Sequence, residues 1–301
     1  MIVTPQPSTV ELLDEAGLPV DEVLRIVATA LAEDLGSPAR DVTSLATIDD
    51  RQASTGDLIA RSDGIVAGLP VAAAVFDAAS DGRARFRALV PDGARVTRAD
   101  VLATVVGPTR ALLAAERTAL NLICRMSGVA THTRAWADRL VGTKATVLDT
   151  RKTTPGLRVL EKYAVRAGGG TNKRMGLYDV AMVKDNHAIA AGGVVAAFRR
   201  VRAAFPDVPV QVEVTTVDEA VAVVEAGAEF LLCDNMSPVL LRRVVEAVGG
   251  RAELEATGGL SLAMAAEYAA TGVDYLSVGA LTHSSPILDI AFDLRTGDDE
   301  A

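Results

Sequence analysis

Cysteine is scarce in this 301-residue chain: two are present, Cys124 and Cys233, far apart and without CxxC spacing. That excludes a disulfide framework and gives no cysteine basis for a zinc site, so both thiols are expected as buried packing residues. Histidine is almost as rare. His132, His187 and His283 are scattered, no metal triad can be read from them, and helix-surface or hydrogen-bonding roles are expected. No stretch reaches the roughly 18 uninterrupted apolar residues that a membrane helix needs. The opening MIVTPQPSTVELLDEAG has no basic segment followed by an apolar run, so no secretory signal is read there. A cytoplasmic protein is expected, with Asp298 to Ala301 as a frayed end.

Net positive charge is also missing. The balance of 30 Lys+Arg against 39 Asp+Glu gives −9, which argues against nucleic acid or an anionic membrane as the main partner. The distribution is more informative than the sum. From Arg110 to Lys184 there are 14 Lys+Arg and 5 Asp+Glu, a local +9 that leaves the rest of the chain at −18. All five lysines (Lys144, Lys152, Lys162, Lys173, Lys184) fall in this block, which suggests positions where a compact ammonium is wanted rather than a planar guanidinium. A solvated basic face is the plainer explanation of such a cluster.

With 50% hydrophobic and 23% charged residues the composition is that of an ordinary globular chain. From Ala145 onward, short β-branched runs alternate with amphipathic stretches, the pattern of parallel βαβ units. Strands are expected at 145–150, 179–185, 209–214, 229–234, 252–257 and 274–279, with helices over 194–205, 216–227, 237–249 and 261–272. Ser237 and Ser261 mark helix starts, Pro238 a first helical position, and Gly227, Gly249 and Gly272 helix stops. Near-continuous apolar strands imply burial on both faces, hence a barrel or a doubly wound sheet. Before residue 110 the pattern is α+β: a helix over 21–35, strands over 55–65 and 83–90, and a second helix entered through 66–76. A long helical pattern over 112–140, interrupted near Ser127-Gly128, joins the halves.

In β/α barrels functional groups gather at the C-terminal ends of the strands, and this sequence places its unusual polar residues there. In order they are Asp149-Thr150-Arg151-Lys152, Lys184-Asp185-Asn186, Glu213, Asp234-Asn235, Thr257-Gly258-Gly259 and Gly279. The cations suit carboxylates and phosphates. The acids suit a hydrated Mg²⁺ bridging phosphate oxygens, and the glycine turns allow backbone N–H groups to approach a phosphate. Each has a structural alternative: Glu213 as half of a barrel ion pair, Asp234-Asn235 as a turn, Gly258-Gly259 as loop punctuation, and Gly168-Gly169-Gly170 as a hinge or a close backbone approach.

The segments ERTALNLICRMSGVAT (116–131), LDTRKTTPGLRVLEKYAVRAGGGTNKRMGLYD (148–179), VKDNH (183–187), VEV (212–214), CDNM (233–236) and ATGGL (256–260) together resemble the quinolinate phosphoribosyltransferases, the carboxylating nicotinate-nucleotide diphosphorylases. EDLG with DVTS (33–44) and DGIVAG (63–68) extend the resemblance over nearly the whole chain. It implies an α/β chain: an N-terminal α+β domain over 1–124, with the tail 283–301 packed on it, and an incomplete, seven-stranded β/α barrel over 125–282 carrying the active site. It implies a homodimer with an active site shared between subunits, possible higher oligomers, and an N-terminal domain that caps the partner's barrel. Arg117 would cross over to join Arg151, Arg174 and Lys184, with Lys173 beside them, on the two carboxylates of quinolinate. Thr150, Lys152, Glu213, Asp234, Thr257-Gly258-Gly259 and the Val278-Gly279-Ala280 loop would hold 5-phosphoribosyl-1-diphosphate and Mg²⁺, the metal near Glu213 and Asp234, through water where needed. Lys152, Lys184, Glu213 and Asp234 would carry the chemistry. Two residues depart from the family pattern: Lys173 stands where a histidine is usual, and Thr257 where a serine is usual. The competing readings are a paralogue acting on a different anionic ring, and a non-catalytic metabolite-binding protein, which would be expected to lose Lys152, Glu213 or Asp234.

Overall fold

Residues 5–295 are described by the computed structural model of the chain. Residues 296–301, with the expected frayed end and the last part of the 283–301 tail, lie outside them. The strands, in chain order, are β1 (Ala53–Ala60), β2 (Gly64–Ile65), β3 (Arg85–Ala88), β4 (Arg95–Val96), β5 (Val101–Pro108), β6 (Thr146–Leu148), β7 (Ala181–Val183), β8 (Val210–Val214), β9 (Phe230–Asp234), β10 (Glu253–Thr257), β11 (Tyr275–Ser277) and β12 (Ile290–Leu294). The chain divides into two units, one of Met1–His132, Thr154–Gly169 and Ser285–Ala301, the other of Thr133–Thr153 and Gly170–Ser284. A linear boundary after residue 124 is therefore not the division observed. Position 124 lies inside a single helix, Thr109–Arg139, and the helix Arg158–Ala167 belongs to the first unit.

In the first unit a four-stranded antiparallel sheet runs β12-β1-β5-β3, so the C-terminal strand pairs along β1 from Gly56↔Leu294 to Ala60↔Ile290. The helix Leu69–Ala79 is buried along nearly its whole length, and Phe76 meets the Phe292 ring at 5.3 Å between centroids. The helix expected over 21–35 spans Val20–Leu35, burying Val23, Ile26, Val27 and Leu31 at the three- and four-residue spacing of one apolar stripe. The strand expected over 55–65 is instead two strands, because the chain bends at Arg61-Ser62-Asp63 between β1 and β2.

The interruption expected at Ser127-Gly128 is absent: the helix Thr109–Arg139 is continuous. Both residues are there for packing. The Ser127 hydroxyl accepts from Ala67 N–H at 3.0 Å and donates to Ala67 C=O at 3.1 Å. A Cβ on Gly128 would stand 2.1 Å from the Pro286 carbonyl oxygen.

In the second unit a six-stranded parallel sheet runs β6-β11-β10-β9-β8-β7, at the six places where the sequence pattern puts strands. Val147, Val183, Val212, Val214, Leu231, Cys233, Leu254, Ala256 and Leu276 are buried, as the apolar runs require. Beside the edge strand β6 a further stave is reduced to one parallel bridge, Leu148↔Thr171, in which Thr171 N–H donates to Val147 C=O at 2.9 Å and Asp149 N–H donates to Thr171 C=O at 3.2 Å. Seven full strands are thus not formed.

The helices Val194–Ala204, Val217–Glu225 and Pro238–Val248 follow expectation. Ser237 caps the last through Leu240 N–H, and Gly249 stops it in the left-handed region, φ 59°. Ser261 does not cap: its side chain makes no cap bond, and a 3₁₀ turn, Leu262–Met264, precedes the short helix Ala265–Ala269. Gly168 and Gly169 end the helix Arg158–Ala167, Gly169 at φ 87°, a helix stop that neither the hinge nor the close-approach reading of the triplet names.

Candidate active site

Parallel strands of one sheet end on one side, and there the second unit opens into a cavity of about 780 Å³. Its wall takes Thr150, Arg151 and Lys152 from the loop after β6, and Lys173 and Arg174 from the segment after the Thr171 bridge. Lys184 follows β7, Glu213 is the penultimate residue of β8 and Asp234 the last of β9, Thr257 ends β10 and leads into Gly258-Gly259, and Val278-Gly279-Ala280 follows β11. Every expected site residue except Arg117 lines this one cavity. Arg117 is exposed on the helix Thr109–Arg139 of the first unit. Five cationic side chains and two carboxylates share the wall, so this part of the basic block lines a cavity, although Lys152 and Lys184 are exposed there and only the Lys173 side chain is nearly buried.

The loops that carry the cations are tied by local bonds. Thr150 Oγ1 accepts from Lys152 N–H at 3.1 Å, and Thr282 Oγ1 donates to Lys152 C=O at 2.8 Å. Asp149, fully buried at the end of β6, accepts from Asn172 Nδ2 at 2.6 Å and Lys173 N–H at 2.8 Å. The Arg174 guanidinium donates to Val180 C=O at 3.0 Å. Asp179 accepts the N–H groups of Met175, Gly176 and Val180; although burial opposes ionisation, these bonds hold its carboxyl below the usual value. Burial, and after it the charge of Arg151, lowers the pKa of Arg174, as expected where like charges are gathered.

Two contacts change the sequence reading. Lys184 Nζ lies 3.0 Å from Glu213 Oε2, so Glu213 does take part in a barrel ion pair, and its partner is itself an expected substrate-holding residue. Lys173, expected among the carboxylate-holding cations, is ion-paired through its ammonium to Glu255 in mid-β10. Glu255 was not expected at the site. The signal available was a charged residue inside the otherwise apolar strand run LEA, which requires a buried partner.

Asn235 stands at φ 52° and donates from Nδ2 to Asp234 at 2.7 Å, so the turn reading of this pair and its place in the cavity wall both hold. Gly258, at φ 95°, is needed where it is: a Cβ would fall 2.3 Å from Asn235 Oδ1. His283 has the hydrogen-bonding role expected of it, with Nδ1 2.6 Å from Ser284 Oγ, and it also lines the cavity. His187 accepts from Lys184 N–H at 3.0 Å, fixing the start of the helix Asp185–Ala191, which the sequence pattern did not reveal. Met182, Leu232, Leu260 and Ser277 complete the wall. Cys124 and Cys233 are free and buried, and burial pushes the Cys233 thiol up to about 12, which makes it inert as a nucleophile at neutral pH. Among the described residues no group of three or more His, Cys, Asp or Glu is placed to hold a metal, and no helix is long and apolar enough to cross a membrane.

Two family models match in succession: the quinolinate phosphoribosyl transferase N-terminal domain over residues 41–127 and its C-terminal domain over 129–293. The chain belongs to the quinolinate phosphoribosyltransferase family. A nicotinate-nucleotide pyrophosphorylase [carboxylating] of Mycobacterium leprae is 50% identical over 274 residues, 89% of this chain and 95% of that one. A quinolinate phosphoribosyltransferase [decarboxylating] of Nicotiana tabacum is 38% identical over 297 residues, 92% of this chain and 84% of that one. The solved nicotinate-nucleotide pyrophosphorylase of Francisella tularensis superposes with a TM-score of 0.88 at 34% identity, covering 92% of this chain and 98% of that one. Quinolinate phosphoribosyltransferase relatives thus match across both units, and the cavity lies within the span of the C-terminal family model.

Proposed function

We propose that this protein transfers the phosphoribosyl group of 5-phosphoribosyl-1-diphosphate to quinolinate with loss of CO₂, giving nicotinate mononucleotide and diphosphate, in the biosynthesis of NAD. The observation that carries this reading is the cation-rich cavity at the strand ends, in a chain matched over both units by the family models. Quinolinate is a dianion and the donor carries several more charges, so both can share one cavity only if cations line it.

The chemistry is substitution at the ribose C1: the pyridine nitrogen forms a bond to C1 as the bond to diphosphate breaks. No protein base is needed. What the residues supply is alignment and charge neutralisation. Arg151, Arg174 and Lys184 hold the two carboxylates, Lys152 and the Thr257-Gly258-Gly259 and Val278-Gly279-Ala280 loops hold the phosphates, and Lys184 orients the carboxylate that departs. Once alkylated, the ring nitrogen is a pyridinium whose positive charge stabilises the electron pair left on the adjacent ring carbon as that carboxylate leaves as CO₂; a proton from water then takes up that pair, and transfer therefore precedes decarboxylation.

Glu213 and Asp234 fit a hydrated Mg²⁺. Both line the cavity, and this ion binds through one or two carboxylates together with substrate phosphates rather than in an all-protein cage. When bound it neutralises charge on the leaving diphosphate. A homodimer, with Arg117 reaching the partner's cavity, and a cytoplasmic location complete the proposal; the exposure of Arg117 supports the first.

Purified protein incubated with quinolinate, phosphoribosyl diphosphate and Mg²⁺ is expected to release CO₂ and diphosphate in equal amounts. Ligand binding without either product would leave a binding protein in place of an enzyme. Release of diphosphate from another pyridine acid and not from quinolinate would make it a paralogue.

A further inference from the structure

Glu255 occupies the centre of β10 with no exposed surface. On a strand, residues two apart share a face, so Glu255 faces the same way as Thr257, one pleat below the cavity rim. Its carboxylate is paired with the Lys173 ammonium, and the Lys173 side chain is itself 8% exposed while forming part of the cavity wall. Lys173 is thus gripped twice by buried carboxylates from different strands: by Asp149, after β6, at its backbone N–H, and by Glu255 at its side chain.

The second oxygen of Glu255 and the Ser277 hydroxyl, which lies near enough to favour the ionised carboxylate, are both buried without a partner at hydrogen-bonding geometry. Such an arrangement is a poor stability device, since a buried ion pair can commonly be exchanged for apolar side chains at no loss. Its effect is local: it holds one ammonium at the base of a cavity whose other cations are Arg151, Lys152, Arg174 and Lys184.

We propose that Glu255 is a positioning residue for quinolinate binding: it holds Lys173 at the cavity floor and offsets its charge, fixing the place and field against which Arg174 and Lys184 receive the carboxylates. The inference rests on the proposed function. Burial lowers the pKa of Lys173, with the charges of Lys184 and Arg174 acting in the same direction and Glu255 opposing them. Without Glu255, therefore, the ammonium loses the partner that keeps it charged.

Quinolinate affinity by calorimetry, the KM of each substrate and the melting temperature are to be measured for wild type, Glu255→Gln, Glu255→Asp and the double variant Lys173→Met/Glu255→Met. The double variant is expected to melt at or above the wild-type temperature yet bind quinolinate at least tenfold more weakly, with the KM for phosphoribosyl diphosphate within twofold of wild type. Glu255→Gln is expected to weaken quinolinate binding likewise, and Glu255→Asp, which keeps the charge, to return affinity to within about threefold. Wild-type affinity in Glu255→Gln and the double variant overturns the proposal. So does a parallel loss of both substrates that follows the melting temperature, which would assign the pair to folding. Wild-type protein that binds no quinolinate removes the functional reading, and this inference with it, whatever the variants do.

Discussion

Lys184 Nζ stands 3.0 Å from Glu213 Oε2, so a cation assigned to the dicarboxylate and an acid assigned to the phosphoribosyl donor share one contact between neighbouring strands of the cavity wall. Removing either leaves the other with its charge uncompensated. Lys184→Ala is expected to lower kcat/KM for quinolinate by about 10²–10³, the usual loss for a preorganised electrostatic group. Glu213→Gln is expected to act mainly on the KM for phosphoribosyl diphosphate and on the Mg²⁺ concentration needed for half-maximal rate. Steady-state CO₂ release with each substrate varied in turn checks both; the same substrate lost in both variants would contradict the division of roles.

The proposed shared site has a distinct consequence. Arg117→Ala and Lys184→Ala chains, each inactive alone, are expected to regain activity when unfolded together and refolded, because a mixed dimer contains one cavity with neither substitution. A statistical mixture of one-half mixed dimers with one intact site each sets recovery at roughly a quarter of wild type. Absence of recovery with normal refolding would place Arg117 outside the site.

Packing of the long helix can be tested at Gly128. Alanine there gains up to about 1 kcal/mol in helix propensity, but its Cβ would meet the Pro286 carbonyl at 2.1 Å and Ile287 Cα at 2.8 Å. These are backbone atoms without a rotamer to change, so the clash decides the sign. Gly128→Ala is expected to destabilise the protein by about 1–3 kcal/mol, as overpacking does, read as a lower urea midpoint at unchanged slope.

His132 supplies a pH dependence of stability. Burial lowers its pKa below the ordinary 6.5, and its Nδ1 is 2.8 Å from Ser285 Oγ. A depressed folded-state pKa means that the unfolded chain takes up the proton first. The contribution is therefore fully present above 6.5 and lost as pH falls below it. Melting temperature is expected to decline from pH 7 to pH 5, and His132→Gln to decline less steeply over the same interval. Equal slopes would exclude His132 as the cause.

Much of the architecture is legible in the sequence because it rests on short-range patterns. The six parallel strands and the helices at 194–204, 217–225 and 238–248 follow from apolar periodicity with Gly, Ser and Pro punctuation. The cavity residues at the strand ends follow from the rule that βα loops of such folds share one rim. What was not legible depends on contacts distant in sequence. Nothing local in RMSGV says that Gly128 faces the Pro286 backbone, so a glycine that packs reads as one that breaks. The place of Glu255 under Lys173 joins residues 82 positions apart. The helix Asp185–Ala191 starts on a bond between Lys184 and His187, a pairing absent from the usual capping signals.

The single bridge at Thr171 has a consequence for recognition. A complete stave would have to send successive side chains alternately inward and outward, so it could give the cavity one of Lys173 and Arg174 and turn the other away. With the ladder ending at Thr171 and the Asp149 carboxylate holding the backbone instead, both consecutive cations face inward. The interrupted ladder thereby lets one short segment bring two neighbouring cationic side chains to the wall, Arg174 with its charge unpaired, among the described residues, by a carboxylate in the wall and Lys173 with its charge offset by Glu255, a graded pair for a ligand with two adjacent carboxylates.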